Sequence, residues 1–151
     1  MAISQAMVTS FKVEILDGVH NFGTGVIRAG TGADTFKIAL YTSSATLSAA
    51  TTAYTTTDEV SSSGTNYTAG GLTLTISQVP TSTGTTAWLD FDDLTFPSAT
   101  LTANGALIYN ATQGNKAVAV LAFGADKTST AGNFTIQFPA AASTTAILRI
   151  A

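Results

Sequence analysis

The residues able to do acid–base, nucleophilic or metal chemistry are few in this chain and widely spaced. Cysteine is absent and histidine occurs once, at His20, so a thiolate nucleophile, a disulfide and a Cys-based metal site are excluded. A Ser-His-Asp relay would have to be built on His20, yet no G-x-S-x-G elbow accompanies it. A single histidine just past a predicted helix end reads more simply as a capping or surface residue. Asp90, Asp92 and Asp93 form the densest acidic cluster. Strand periodicity would put Asp90 and Asp92 on one face, where they repel unless solvated or bridged by a cation. Calcium takes such carboxylate oxygens, but the glycine and distal glutamate of an EF-hand loop are not in register here. Solvated carboxylates that deter sheet-to-sheet pairing are the expected role. Asp58-Glu59 is likewise expected to be loop surface, not a glycosidase-like pair.

The glycine-rich pieces Gly23-Thr24-Gly25 and Gly30-Thr31-Gly32 lack the lysine and helix context of a P-loop and the full dinucleotide fingerprint. Three N-x-T sequences, at Asn66, Asn110 and Asn133, are what chance supplies in so threonine-rich a chain. The expectation is therefore a protein with no catalytic residue, no cofactor site and no metal site, and not an enzyme.

The elements around these residues are mostly strands. Ile3, Met7, Phe11 and Ile15 recur every four residues, with Val8 and Leu16 widening the stripe, and this predicts an amphipathic helix over 4–17. Ser4 would cap it and Gly18 would end it. Residues 18–34 read as a glycine-rich arm. From Thr35 onward the period becomes two: Phe36, Ile38 and Leu40 share a face, as do Leu72, Leu74 and Ile76, and Ala87, Leu89 and Phe91. Further strands are expected at 99–103, 105–110, 116–123, 133–138 and 145–150. The stretch 117–123, apolar on both faces, marks a doubly covered strand. Turns are expected at Gly70-Gly71, Gly84, Asn104-Gly105, Gly114-Asn115 and Gly132-Asn133, with Asn104-Gly105 the strongest hairpin signal. The fold class is all-β: a single, jelly-roll-like β-sandwich over 35–151, preceded at 1–34 by the helix and arm, forming one structural unit.

Composition narrows the partners. Only 10% of residues are charged, against about 25% in an average domain, and Ser and Thr fill the polar positions. A surface with little charge repels its neighbours weakly and suits close packing in an assembly. The six basic residues, Lys12, Arg28, Lys37, Lys116, Lys127 and Arg149, are scattered, so no phosphate-tracking patch for nucleic acid is expected. No window approaches a membrane span, and residues 1–19 carry Lys12, Glu14 and Asp17 where a secretory signal would be apolar. Synthesis and folding in a cytoplasm are expected. Met7, Phe11 and Ile15, with Trp88 on the polar face of its strand, are the candidate interface residues. A one-residue register change would bury Trp88 instead.

Taken as strings, several segments resemble a family of small virion structural proteins of tailed bacteriophages. The resemblance spans nearly the whole chain. It is carried by Phe36-Lys37-Ile38-Ala39-Leu40-Tyr41-Thr42, Thr57-Asp58-Glu59-Val60, Tyr67-Thr68-Ala69-Gly70-Gly71 and Ala106-Leu107-Ile108-Tyr109-Asn110. Lys116-Ala117-Val118-Ala119-Val120-Leu121-Ala122-Phe123-Gly124 and Gly132-Asn133-Phe134-Thr135-Ile136-Gln137-Phe138-Pro139 complete it, with the opening Met1-Ala2-Ile3-Ser4-Gln5-Ala6-Met7. The resemblance implies a component of the phage particle made in the host bacterial cytoplasm. Within that, compact size and the sandwich pattern favour a head decoration (cement) protein on the capsid surface. Its partners would be the major capsid protein and copies of itself. A tail or adaptor component is the first alternative. A carbohydrate- or ice-binding β-module, suggested by Thr73/Thr75 and Thr100/Thr102, is an alternative of another class.

Overall fold

The computed structural model describes residues 2–16, 18–23 and 33–151. Among these, eight strands and one short helix follow in the order β1 (Ala6–Met7), α1 (Thr9–Leu16), β2 (Phe36–Tyr41), β3 (Leu72–Thr73), β4 (Ile76–Thr83), β5 (Thr86–Phe91), β6 (Leu94–Asn110), β7 (Lys116–Ile136) and β8 (Leu148–Ile150). They form two antiparallel sheets, β1-β7-β6-β2-β3 and β4-β5-β8. The architecture is all-β and sandwich-like, as the period-two pattern predicts. Its strands divide five and three, where a regular jelly roll has two sheets of four.

The spine is the ribbon of β6 and β7, 17 and 21 residues long, paired from Leu94↔Ile136 to Asn110↔Lys116. Its hairpin turn is the expected Gly114-Asn115, with both residues at positive φ. Asn104-Gly105 is not a turn: β6 runs straight through it, pairing on both sides with β7 and, at Gly105, with Tyr41 of β2. The glycine is needed there for space. A Cβ on Gly105 would lie 2.6 Å from the Leu121 carbonyl oxygen and 2.9 Å from the Ile3 side chain. Glycine inside a strand commonly marks such a close approach or a bulge. Here it marks both, because the partner jumps from Lys127 to Ala122 opposite Ala103 and Gly105. The extra residues of β7 are pinned by Asn104 Nδ2, which donates to Asp126 Oδ1 at 2.8 Å. Gly132-Asn133 is also internal to β7, so 116–123 and 133–138, expected as separate strands, belong largely to one.

The predicted helix over 4–17 is shorter, Thr9–Leu16. Residues before it are extended: Ala6 and Met7 pair with Val120 and Ala119 of β7, and Ile3 bridges Leu47. The exposed backbone of β7 outcompetes the first helical turn for those residues, since hydrogen bonds to a sheet satisfy groups that a frayed turn would leave to water. The predicted stop is correct. Gly18 has φ +69° and the amides of Gly18 and Val19 donate to the carbonyls of Ile15 and Glu14. The helix covers its own domain, with Val8 just before it and Phe11 within it both buried.

Aromatic rings join the layers. Phe22 stacks on Phe36 of β2 at 4.1 Å between centroids, Phe36 meets Phe91 of β5 at 6.2 Å, and Phe91 meets Phe138 at 5.9 Å. Each such pair contributes about 0.5–1.5 kcal/mol beyond its burial. Of 117–123, expected to be covered on both faces, residues 117–120 are buried in β7, whereas Leu121, Ala122 and Phe123 are only half-buried.

Candidate functional site

The four candidate interface residues come from three elements, and the fold brings all of them to one place. Met7 of β1, Phe11 and Ile15 of α1 and Trp88 of β5 line a single half-open cavity of about 180 Å³. Its other walls include Phe22, Leu89 and Leu148. Phe11 is 2% exposed and belongs to the core, so it is not a surface contact. Met7, Ile15 and Trp88 keep partial exposure and can meet another molecule. The Trp88 indole N–H points along its own hairpin toward Thr83 Oγ1, at 3.4 Å.

His20 closes one end of that cavity and is neither a surface residue nor a helix cap. Its side chain is fully buried beside the rings of Phe11, Phe22 and Phe36. Asn110 fixes its tautomer. Asn110 Oδ1 accepts from the amides of Thr112 and Gln113, so its NH2 group faces Asp34 Oδ2 at 2.8 Å and His20 Nδ1 at 3.0 Å. Nδ1 is therefore an acceptor, and the proton on Nε2 is donated to Glu14 Oε2 at 2.7 Å. Lys116 Nζ donates to the other oxygen of Glu14 at 2.8 Å. Burial works to raise the Glu14 pKa, but the bonds from Lys116 and His20 outweigh it and leave the carboxyl below its ordinary range. This chain of bonds fastens α1 to the ends of β6 and β7. Both ring nitrogens of His20 are engaged in it.

A second polar centre was not anticipated. Glu59, expected on a loop surface, is the acceptor hub of a tyrosine cluster. Its Oε1 accepts from Tyr67 OH at 2.6 Å and Gly70 N–H at 2.7 Å, and its Oε2 from Tyr54 OH at 2.7 Å. Tyr67 OH in turn accepts the Leu40 amide at 3.0 Å. Tyr109 stacks on Tyr54 at 4.7 Å and donates to the Gly70 carbonyl, while Tyr41 donates to the Thr55 carbonyl. All four tyrosines of the chain thus lie in one region, and burial pushes the pKa of each upward. The Glu59 charge adds to that rise. The arrangement clamps the segment 54–71 onto β2 and β6. Asp58, beside the hub, is exposed.

Asp90 is the third correction. It is 1% exposed, not solvated, and only Asp92 and Asp93 of the acidic cluster face water. The alternation that buries Leu89 and Phe91 fails to expose Asp90 because β5 is the central strand of its sheet and is covered on both faces there. Burial raises the Asp90 pKa, against the opposing pull of the Phe91 and Ile147 amides, and its Oδ2 has no hydrogen-bond partner. Among the described residues no group of three His, Cys, Asp or Glu side chains could hold a metal ion. Of the glycine-rich arm, residues 24–32 lie outside the described residues, including both Gly-Thr-Gly pieces except Gly23.

No helix of the described residues is long and apolar enough to cross a membrane. Comparison with family models, with curated proteins and with solved structures finds no match to this chain.

Proposed function

We propose that the chain is a structural protein of a bacteriophage particle, a head decoration protein that seats on the major capsid shell and reinforces it. The observation that carries this reading is where the fold spends its charge. Four of the nine carboxylates, Glu14, Asp34, Glu59 and Asp90, are engaged or buried inside the chain. Along the β6–β7 ribbon the exposed cross-strand pairs Thr95–Thr135 and Thr102–Thr128 are neutral hydroxyls, at 2.8 and 2.9 Å, and Asp126 and Lys127 are the exposed charges beside them. Such a surface packs against a lattice with little repulsion, and binding only the assembled shell stabilises it by mass action. The resemblance of the quoted strings supplies the identity of the particle.

Copy number tests the proposal. Quantitative mass spectrometry of purified particles, scaled against the major capsid protein, should give a comparable number of copies. A handful of copies moves the protein to a tail or adaptor, and absence removes the virion reading. Bridging by the N-terminal segment is tested with Val13→Asp, since Val13 is 55% exposed on α1, whereas deleting residues 1–17 would remove buried Val8 and Phe11. The ice- or glycan-binding alternative draws no support from its own threonines. Thr73 ends β3 while Thr75 lies between strands, and Thr100 Oγ1 is occupied by the Ala131 amide.

A further inference from the structure

Packing between α1 and the small sheet is incomplete. The register pairs Ala87 with Ile150 and Leu89 with Leu148, so these four side chains share one face of β5 and β8. Trp88 and Arg149, also paired, alternate to the other face. The half-open cavity of about 180 Å³ lies between the first face and Phe11 and Ile15 of α1. Its inner end is closed by buried side chains, among them Phe11, Phe22, Leu89 and Leu148. Its mouth is at Ala87 and Ile150, both exposed, Ile150 by 50%. Among the described residues β1 pairs only with β7 and β8 only with β5, so no strand pairing closes the sandwich over that mouth.

Protein interiors leave few voids larger than a water molecule, and water is a poor occupant of this one. An ordered water needs about two to four polar partners. The side chains with polar groups in the described lining are His20 and Trp88. Both His20 nitrogens are engaged, by Glu14 at 2.7 Å and by Asn110 at 3.0 Å, and the Trp88 N–H points to Thr83 Oγ1. An apolar occupant instead restores the dispersion contacts that the walls lack. Size limits what it can be. A cavity of roughly 150 Å³ walled by Leu, Ile and Phe stays dry and takes benzene, whereas drug-sized ligands use roughly 300 Å³ or more. Ring edges line the inner end: Phe11 meets His20 at 4.8 Å and Phe22 at 6.0 Å, both edge-to-face, and a further ring favours contacts of that kind. We propose that the cavity between α1 and the β5–β8 face is a binding site for a small apolar molecule of one aromatic ring, held without hydrogen bonds or charge.

The probe is benzene, titrated into the full-length chain and followed by methyl carbon–proton correlation spectra. The expected result is a saturable shift of the Met7, Ile15, Leu89 and Leu148 methyl signals, with a dissociation constant of about 1 mM, since a ligand of so few atoms in a half-open site gains little. Ala87→Leu, at an exposed position that the fold tolerates, carries a branched side chain across the mouth and should weaken benzene by at least about tenfold. Val13→Asp, on the solvent side of α1 where Val13 is 55% exposed, should leave binding unchanged. No saturation by about 10 mM, or shifts scattered over the surface, overturns the proposal. So does equal binding by Ala87→Leu, or a concentration-dependent dimer that benzene dissociates, which would make a second copy the occupant. The experiment needs no particle, so its failure and that of the decoration reading are separable.

Discussion

Replacing Glu59 by leucine tests whether the tyrosine hub holds the fold or merely decorates it. The substitution keeps much of the side-chain volume and removes an acceptor of three hydrogen bonds, from Tyr67, Tyr54 and the Gly70 amide. Tyr67 and Gly70 are buried, and stranding a buried donor to a charged acceptor costs about 1.5–3 kcal/mol each. Tyr54 is half-exposed and turns to water at little cost. Glu59→Leu should therefore destabilise by about 3–6 kcal/mol, a large part of the roughly 5–15 kcal/mol of an ordinary domain. For a chain of this size that is a fall in Tm of about 6–24 °C. Glu59→Gln should cost only about 1 kcal/mol, because its carbonyl still accepts from Tyr67 and Gly70 and only the charge assistance is lost. Urea unfolding followed by Trp88 emission gives these differences, and the cycle with Tyr67→Phe isolates the pair. A coupling energy below about 0.5 kcal/mol, or Glu59→Leu within about 1 kcal/mol of the parent, would refute the hub.

The tyrosines predict an alkaline limit: all four have raised pKa values when folded, so above the unfolded value of 10.0 the unfolded chain loses protons that the native chain keeps. Stability should then fall by about 1.4 kcal/mol per pH unit for each buried tyrosine, and phenolate absorbance should rise together with unfolding. At acid pH the sign comes from Glu14, whose pKa is lowered from 4.5: its contribution is present above that value and disappears as pH falls through the folded one, so Glu14→Gln should flatten the acid limb of a Tm–pH curve. Asp90 acts oppositely, since its raised pKa makes the carboxylate a cost at neutral pH that protonation removes; Asp90→Asn should raise the urea midpoint at pH 7 more than at pH 4. Gly71→Ala should prevent folding, because φ is +70° and the Cβ would lie 1.7 Å from the Ile38 carbonyl oxygen. Gly105→Ala, without a φ penalty, should cost about 3 kcal/mol or more, because the Leu121 backbone carbonyl has to shift as well as the Ile3 side chain, read from the same urea curves.

The strands were legible wherever their burial alternates or is continuous, as in β2 and the inner half of β7, because local patterning and tertiary environment agree there. Where they disagree, the tertiary contact wins. Ile3 and Met7 carry helical spacing, yet the unpaired edge of β7 draws that segment into extended pairing. Asn104-Gly105 has hairpin chemistry, but only the approach of Leu121 and Ile3, distant in sequence, explains its glycine. Glu59 could not have been recognised locally, since its donors come from residues 54, 67 and 70. One signal did exist. Four of the strings that carry the phage resemblance, 36–42, 57–60, 67–71 and 106–110, converge on this hub through Leu40, Glu59, Tyr67 with Gly70, and Tyr109.

The same reasoning separates the parts that fold the chain from the parts free to bind. Residues of the tyrosine hub and of the Glu14–His20–Asn110 relay have their polar atoms satisfied by the chain itself, and a partner contacting them would have to displace internal bonds. The margin between β1 and β8 carries no such cost. Its edge strands are two and three residues long and are not paired with each other, while at the opposite margin two residues of continuous chain join β3 to β4. The free protein should therefore open first at these short edges, and amides of β1 and β8 should exchange with deuterium well before those of the paired centre of β6 and β7.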